Sequence, residues 1–298
     1  MKNLDTIAPG IFLAAFLFFV FSCSKDRIEQ KQLNQYSSIN TYLDSKKQAE
    51  QEFIIDSSGT GPIIGNQGTK IWIGKQCLMF PNGDSVTWPF TIKLVELYKP
   101  KDMIYYQMPT ISSGTILKTD GEIRLRAFKD GIELLLKPTP CMAQIEMPCA
   151  APQSGMHVLN GLTTSGHPDW IDNSPVNLFT TDTASYIAYI TVLGWINCGQ
   201  LAGSTSNSTL TFASTVDDLT NVGIFIYFPG TKTVMQAYNS ASSSIPNGSA
   251  VKMVAIGIDA SGNLFSFSQT QTVNANAQVD IVLSATTDAA LTTVLDGL

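Results

Sequence analysis

Side chains capable of chemistry are sparse in this chain. Its two histidines, His157 and His167, fall in one run, HVLNGLTTSGHPDWID, together with Asp169 and Asp172. Two imidazoles and two carboxylates make a donor set for a divalent metal, provided the stretch carrying His157 runs back beside the loop carrying the other three. Nothing in the spacing enforces that return, so solvated loop charges are the favoured reading, and the chain is expected to hold no metal, no cofactor and no catalytic residue. It contains no GxSxG, HExxH, Walker or GxGxxG stretch, so the common hydrolase, metallopeptidase and nucleotide-binding readings lack their residues.

Other residues suggest contact and not turnover. Trp88 and Trp170 lie beside turn-forming residues and are the tryptophans placed to stack on a sugar ring or a partner; Trp72 and Trp195 sit in apolar alternation and read as core. Arg124 and Arg126 alternate with apolar residues in EIRLRAF and share a face with Glu122, either as a docking surface or as a solvated sheet face. Beyond Cys23 there are Cys77, Cys141, Cys149 and Cys198, which permit three pairings. Cys141 and Cys149 flank only seven residues and are the candidate disulfide, whereas Cys77 and Cys198 lie in apolar stretches and read as small buried side chains.

The reactive cysteine of clearest meaning is Cys23. An uninterrupted apolar run, Ile11 to Phe21, follows Lys2 and ends in Val20-Phe21-Ser22-Cys23. Its length is that of a signal-peptide core, short for a bilayer span. The ending resembles the lipobox of bacterial lipoproteins, in which the cysteine becomes the acylated first residue. Residues 1–22 are then a signal peptide, and residues 23–58, rich in Gln, Lys and Ser, a flexible or partly helical tether from acylated Cys23 to the bilayer. The implied site is the outer membrane, on its surface or its periplasmic face.

What must hold these residues is β structure. Alternation of apolar and polar residues begins at Lys70 and predicts strands at 71–73, 89–98, 122–128 and 132–136, with a tight hairpin at Lys129-Asp130-Gly131. Further strands are expected around 144–147, 156–159, 186–197, 209–212, 222–228, 232–237, 250–258, 264–268 and 279–283, with a hairpin loop at Asp259 to Asn263. Lys101 to Met108 reads as one helical turn and Gly166 to Pro175 as a linker. Thr287 is a candidate N-cap for a closing helix with Leu291, Val294, Leu295 and Leu298 on one face. The expected fold class is all-β: two tandem antiparallel sandwiches over residues 59–165 and 166–298, with a short C-terminal helix.

Composition narrows the partners. Charged residues make up 14% of the chain, below the roughly 25% of ordinary soluble domains, so surface polarity falls to Ser, Thr, Asn and Gln. From Pro175 onward there are seven Asp, no Glu, no Arg and only Lys232 and Lys252, a balance that repels phosphate backbones and argues against nucleic acid.

The phrases Gly68 to Ile73, Pro89 to Tyr98 with Asp102-Met103, Ser113 to Leu117 leading into Gly121-Glu122-Ile123, and Gly194-Trp195-Ile196-Asn197-Cys198 resemble a group of Bacteroidota outer-membrane lipoproteins. Their first β domain is similar to the ZU-five domain of ankyrins and netrin receptors, a β-sandwich used for protein contacts. The resemblance implies fold more than function, and an envelope protein as partner, with a surface glycan as the alternative. The His-Phe-Ser step at which some ZU-five relatives cleave themselves does not occur here. Asp84-Ser85-Val86 and Asp182-Thr183-Ala184 resemble the O-glycosylation acceptor of the same bacteria.

Overall fold

Alternating hydropathy does produce strands, and the chain is mostly β, with several antiparallel sheets. The computed structural model describes residues 32–57, 61–164, 166–172 and 179–298. The expected signal peptide, residues 1–22, and Cys23 lie outside the described residues. Residues 34–298 form one compact unit.

The first part of the chain supplies strands β1 (Gln51–Ile55), β2 (Ile63–Ile64), β3 (Lys70–Trp72), β4 (Phe90–Leu97), β5 (Thr115–Lys129) and β6 (Ala143–Pro148). Then come β7 (His157–Thr164), β8 (His167–Ile171), β9 (Thr180–Thr181), β10 (Ser185–Ile190) and β11 (Gly194–Leu201). The remainder carries β12 (Leu210–Ala213), β13 (Gly223–Phe228), β14 (Thr233–Ala237), β15 (Ser249–Ile258), β16 (Leu264–Val273), β17 (Ala277–Asp280) and β18 (Ser284–Thr286). Among the described residues three α-helices accompany them: α1 (Asn40–Lys46), α2 (Pro100–Tyr106) and α3 (Asp288–Asp296).

Sheet one has the antiparallel order β1-β4-β5-β11-β7-β8, sheet two β9-β10-β6-β3-β2 and sheet three β14-β13-β15-β16-β18. Strand β12 pairs in parallel with β17. Sheets one and two share a core: Ile92, Leu94, Ile123 and Leu125 of the first meet Ile71, Ile145, Tyr186 and Ala188 of the second. The opposite face of sheet one is buried too, which is why PFTIKLVELY reads as a nearly continuous apolar run toward its end. Val95 and Leu97 there join Leu43 of α1, Ile104 of α2, Leu291 of α3, and Phe225 and Val254 of sheet three. The helices therefore form a layer between sheets one and three. A third core lies on the far side of sheet three, where Ile224, Ile226 and Met253 pack under Leu210, Phe212 and Val279.

Local chemistry explains the helix ends. Pro100 stands at the first turn of α2, where its missing N–H costs nothing, and Gln107 closes the helix in the left-handed region at φ 53°. Thr287 caps α3 by accepting from the Ala290 N–H at 3.2 Å, as its sequence position predicts. The hairpins at Asp130-Gly131 and Asp259 to Asn263 also form where expected; the Asp259 carboxylate accepts from the N–H groups of Ser261 and Asn263.

Several expectations are corrected. The tether of residues 23–58 is folded from Asn34 on: Tyr36, Ile39, Tyr42 and Leu43 are buried, and QEFII forms β1. The Asp217 carboxylate clips this segment down, accepting from Asn34 Nδ2 at 2.9 Å and Tyr36 OH at 2.8 Å while also taking the Leu283 N–H. The linker drawn from Gly166 contains β8, whose Pro168 is tolerated because β8 is an edge strand. The single strand drawn from Tyr186 to Asn197 is two, β10 and β11, which enter different sheets after a reversal ending at Gly194, φ 124°. A domain boundary at residues 165 and 166 would thus cut through sheet one, because β8 and β11 complete it.

The disulfide joins Cys77 to Cys141, with Cα atoms 5.1 Å apart, and Cys149 is free. The expected Cys141–Cys149 bridge fails because the six-residue strand β6 runs extended between them, holding them roughly 20 Å apart.

Candidate functional site

Two sheet edges meet side by side in this fold. Strand β1 ends sheet one and β2 ends sheet two, and the chain crosses between them, so the open side of their shared core is a groove of about 800 Å³. Residues 52–56 line one wall, Ile63, Ile64 and Ile73 the other, and Trp88 with Lys75 the end. Phe53, Ile55, Ile63 and Ile73 turn toward the open side of the shared core, while the alternate residues Ile54 and Ile64, 76% and 57% exposed, stand on the outer faces of the two edges.

Buried polar contacts hold the walls in place. Glu96, fully buried in β4, accepts from the Gln67 and Thr69 N–H groups at 2.9 and 3.0 Å and from Gln51 Nε2 at 2.8 Å. One carboxylate thereby fixes the turn between β2 and β3 and the start of β1. Gly65 passes so close that a Cβ there would meet Glu96 Oε2 at 2.6 Å, which excludes a side chain. Burial pushes the Tyr98 phenol up, so it stays neutral and shares a hydrogen bond with Thr69 Oγ1 at 2.7 Å. At the groove's end, the short helix Lys75–Cys77 is anchored by the Cys77–Cys141 bridge and by the Lys137 N–H donating to the Cys77 carbonyl at 2.8 Å. Lys75 Nζ lies 5.7 Å from the centre of the Trp88 ring, which stacks on Phe90 at 5.1 Å and 21°.

Of the contact residues expected from sequence, Trp88 alone reaches this groove. Trp170 is fully buried in the helical layer, its Nε1 donating to the Pro109 carbonyl at 2.8 Å, so it is core and not a stacking platform. Arg124 and Arg126 are half-buried and engaged within the chain. Arg124 sits 5.6 Å over Trp195, while Arg126 pairs with Glu50 and lies 5.0 Å over Phe128. Glu122 of the same face is completely buried. The charged face drawn from EIRLRAF is therefore covered by α1, α2 and the segment before β1, a correction that alternation within the strand alone could not supply.

The histidines are separated. His157 Nδ1 lies 2.7 Å from Asp172 Oδ2 beside a cleft of about 220 Å³ that Ser112 and Gln200 also line. His167 stacks instead on Tyr238 at 3.7 Å, and Asp169 accepts from the Ser113 and Trp170 N–H groups, both at 2.9 Å. Among the described residues no three such side chains converge as metal ligands. Ser85 and Thr183 of the two acceptor-like triplets are exposed.

Sequence reasoning missed the walls made by Phe53 and Ile55 and by Ile63 and Ile73. The signal was the alternation of Phe53 and Ile55 in QEFII, hidden by the polar run before it. Comparison with protein-family models, curated proteins and solved structures finds no match.

Proposed function

We propose that this chain is a lipid-anchored, non-enzymatic binding protein of the outer membrane, held through acylated Cys23, which makes its contacts with an envelope protein at the groove between β1 and β2. The groove carries this reading: it is open, preformed by buried hydrogen bonds and a disulfide, and lined by Phe53, Ile55, Ile63 and Ile73 beside the Trp88 ring. The lipobox-like ending at Cys23 supports the anchor. The common core of sheets one and two supports a ZU-five-like sandwich, with sheet three and the β12–β17 pair as the second sandwich of the tandem.

A photo-crosslinking residue at position 54, introduced into the full chain in its native envelope, tests the proposal. One stoichiometric adduct that disappears when Trp88→Ala is added supports it; crosslinks to lipid alone or to nothing count against it. A Cys23→Ala chain that remains membrane-bound would refute the anchor. Trp88, half-buried at the groove's end, also favours a second reading, a glycan packed against its ring, which binding of soluble oligosaccharides with and without Trp88→Ala distinguishes.

A further inference from the structure

We propose that the groove is filled by β-strand addition, an extended segment of a partner polypeptide pairing along the free edge of β1. The inference rests on the binding-protein reading above and specifies how the partner is held. All five residues of β1 pair with β4 on one side, and no strand among the described residues pairs with the other. In an antiparallel strand, alternate residues turn their N–H and C=O groups away from the neighbour, so β1 offers a row of main-chain donors and acceptors to whatever lies in the groove.

Exported proteins usually blunt such an edge with charge or proline. Here the one charge in β1, Glu52, is drawn back across the sheet to Lys93 at 2.5 Å, and the next residue on its face is the exposed Ile54. Across the groove, β2 is preceded by Pro62, which has no N–H, so that wall contributes apolar side chains and β1 contributes hydrogen bonds.

Charge defines the occupant further. Glu52 is paired with Lys93, and Asp56 on the same wall is set against Lys75 at the end, leaving the groove close to neutral. That complements a strand of alternating apolar and uncharged side chains and offers nothing to a polyanion. Main-chain pairing would supply affinity, and the Ile63, Ile73 and Trp88 surfaces would select the side chains.

The test uses the full chain in detergent and a fluorescent octapeptide of alternating valine and threonine with a lysine at each end. Two N-methylated versions of it are compared, each methylated on one alternate set of amides. Strand addition predicts an asymmetry: methylating the set that faces β1 weakens binding by about tenfold or more, and methylating the other set changes it less than about twofold. Ile54→Lys weakens the parent peptide similarly. Should that variant fail to fold, hydrogen exchange in the unaltered chain gives the readout, with amides among residues 52–55 protected by the peptide. Equal binding of all three peptides overturns strand addition and leaves the groove a binding site of another kind. Saturable binding of cellohexaose, lost in Trp88→Ala, with no peptide binding overturns it in favour of the sugar reading. A dimer of the chain alone that Ile54→Lys disperses assigns the edge to a second copy and overturns the proposal, and failure of every probe overturns it together with the groove reading.

Discussion

Replacing Glu122 with glutamine should stabilise the protein at neutral pH and remove a slope from its stability profile. Glu122 lies on β5 between Leu97 of β4 and Asn197 of β11, and none of it reaches solvent. Oε1 accepts from Asn197 Nδ2 at 3.1 Å, while Oε2 has no hydrogen-bond partner. Burial therefore pushes the carboxyl well above the usual range, and the Asn197 bond offsets this only in part. The acid is protonated in the folded chain at pH values where the unfolded chain, with an ordinary glutamate near 4.3, has already lost the proton. Stability from this group is fully present below about pH 4 and falls by about 1.4 kcal/mol for each pH unit above it, until the buried carboxyl ionises as well. Glutamine keeps the bond from Asn197 and does not titrate. Glu122→Gln and the unaltered chain should thus have nearly equal melting temperatures at pH 4 and diverge by roughly 2–4 °C per pH unit above it, the variant being more stable. Differential scanning calorimetry between pH 4 and 8 measures this. Parallel profiles, or a variant that is less stable throughout, would refute the claim that an uncharged acid sits in the helical layer.

Other outcomes follow from the same contacts. Trp170→Ala should lose about 3–5 kcal/mol by emptying the helical layer, whereas Trp88→Ala, at a half-buried ring, should lose less, as paired urea titrations would show. Breaking the Cys77–Cys141 bridge, which closes a loop at a sequence separation of 64, should cost about 4 kcal/mol and loosen the Lys75 end of the groove, read as a lowered melting temperature on reduction. Burial raises the Asp217 carboxyl, but bonds from Asn34, Leu283 and Tyr36 outweigh it and hold the group below the usual range. Its contribution is present near neutrality and lost as pH falls through that lowered value, so Asp217→Ala should expose the segment from Asn34 to protease at pH 7 and matter least in acid. Thr287→Ala should cost about 1 kcal/mol through the lost cap, checked by urea denaturation.

Legibility followed the range of the interaction. Period-two alternation, the turn at Asp130-Gly131 and the cap at Thr287 are local, and they were readable. What escaped depended on residues far away in sequence. Trp170, between Asp169 and Ile171, has a polar approach that suggests a contact residue; it is buried because β8 joins β7 and its indole reaches Pro109. Arg124 and Arg126 looked wet because alternation reports one core, while sheet one has two. Cys141 found Cys77 because β6 had to be straight. Of the site, Trp88 was visible as an aromatic beside a turn, but the groove itself is made by two edges whose proximity no local pattern encodes.

The helical layer also governs when this chain can fold. Tyr42 OH donates to Asp288 Oδ1 at 2.8 Å across a sequence separation of 246, Lys46 Nζ meets the same oxygen at 2.6 Å, and Leu43 packs in one cluster with Leu291 and Leu295. A chain emerging from the ribosome cannot complete that layer until residues 288–296 have been made, and contacts of such span form slowly.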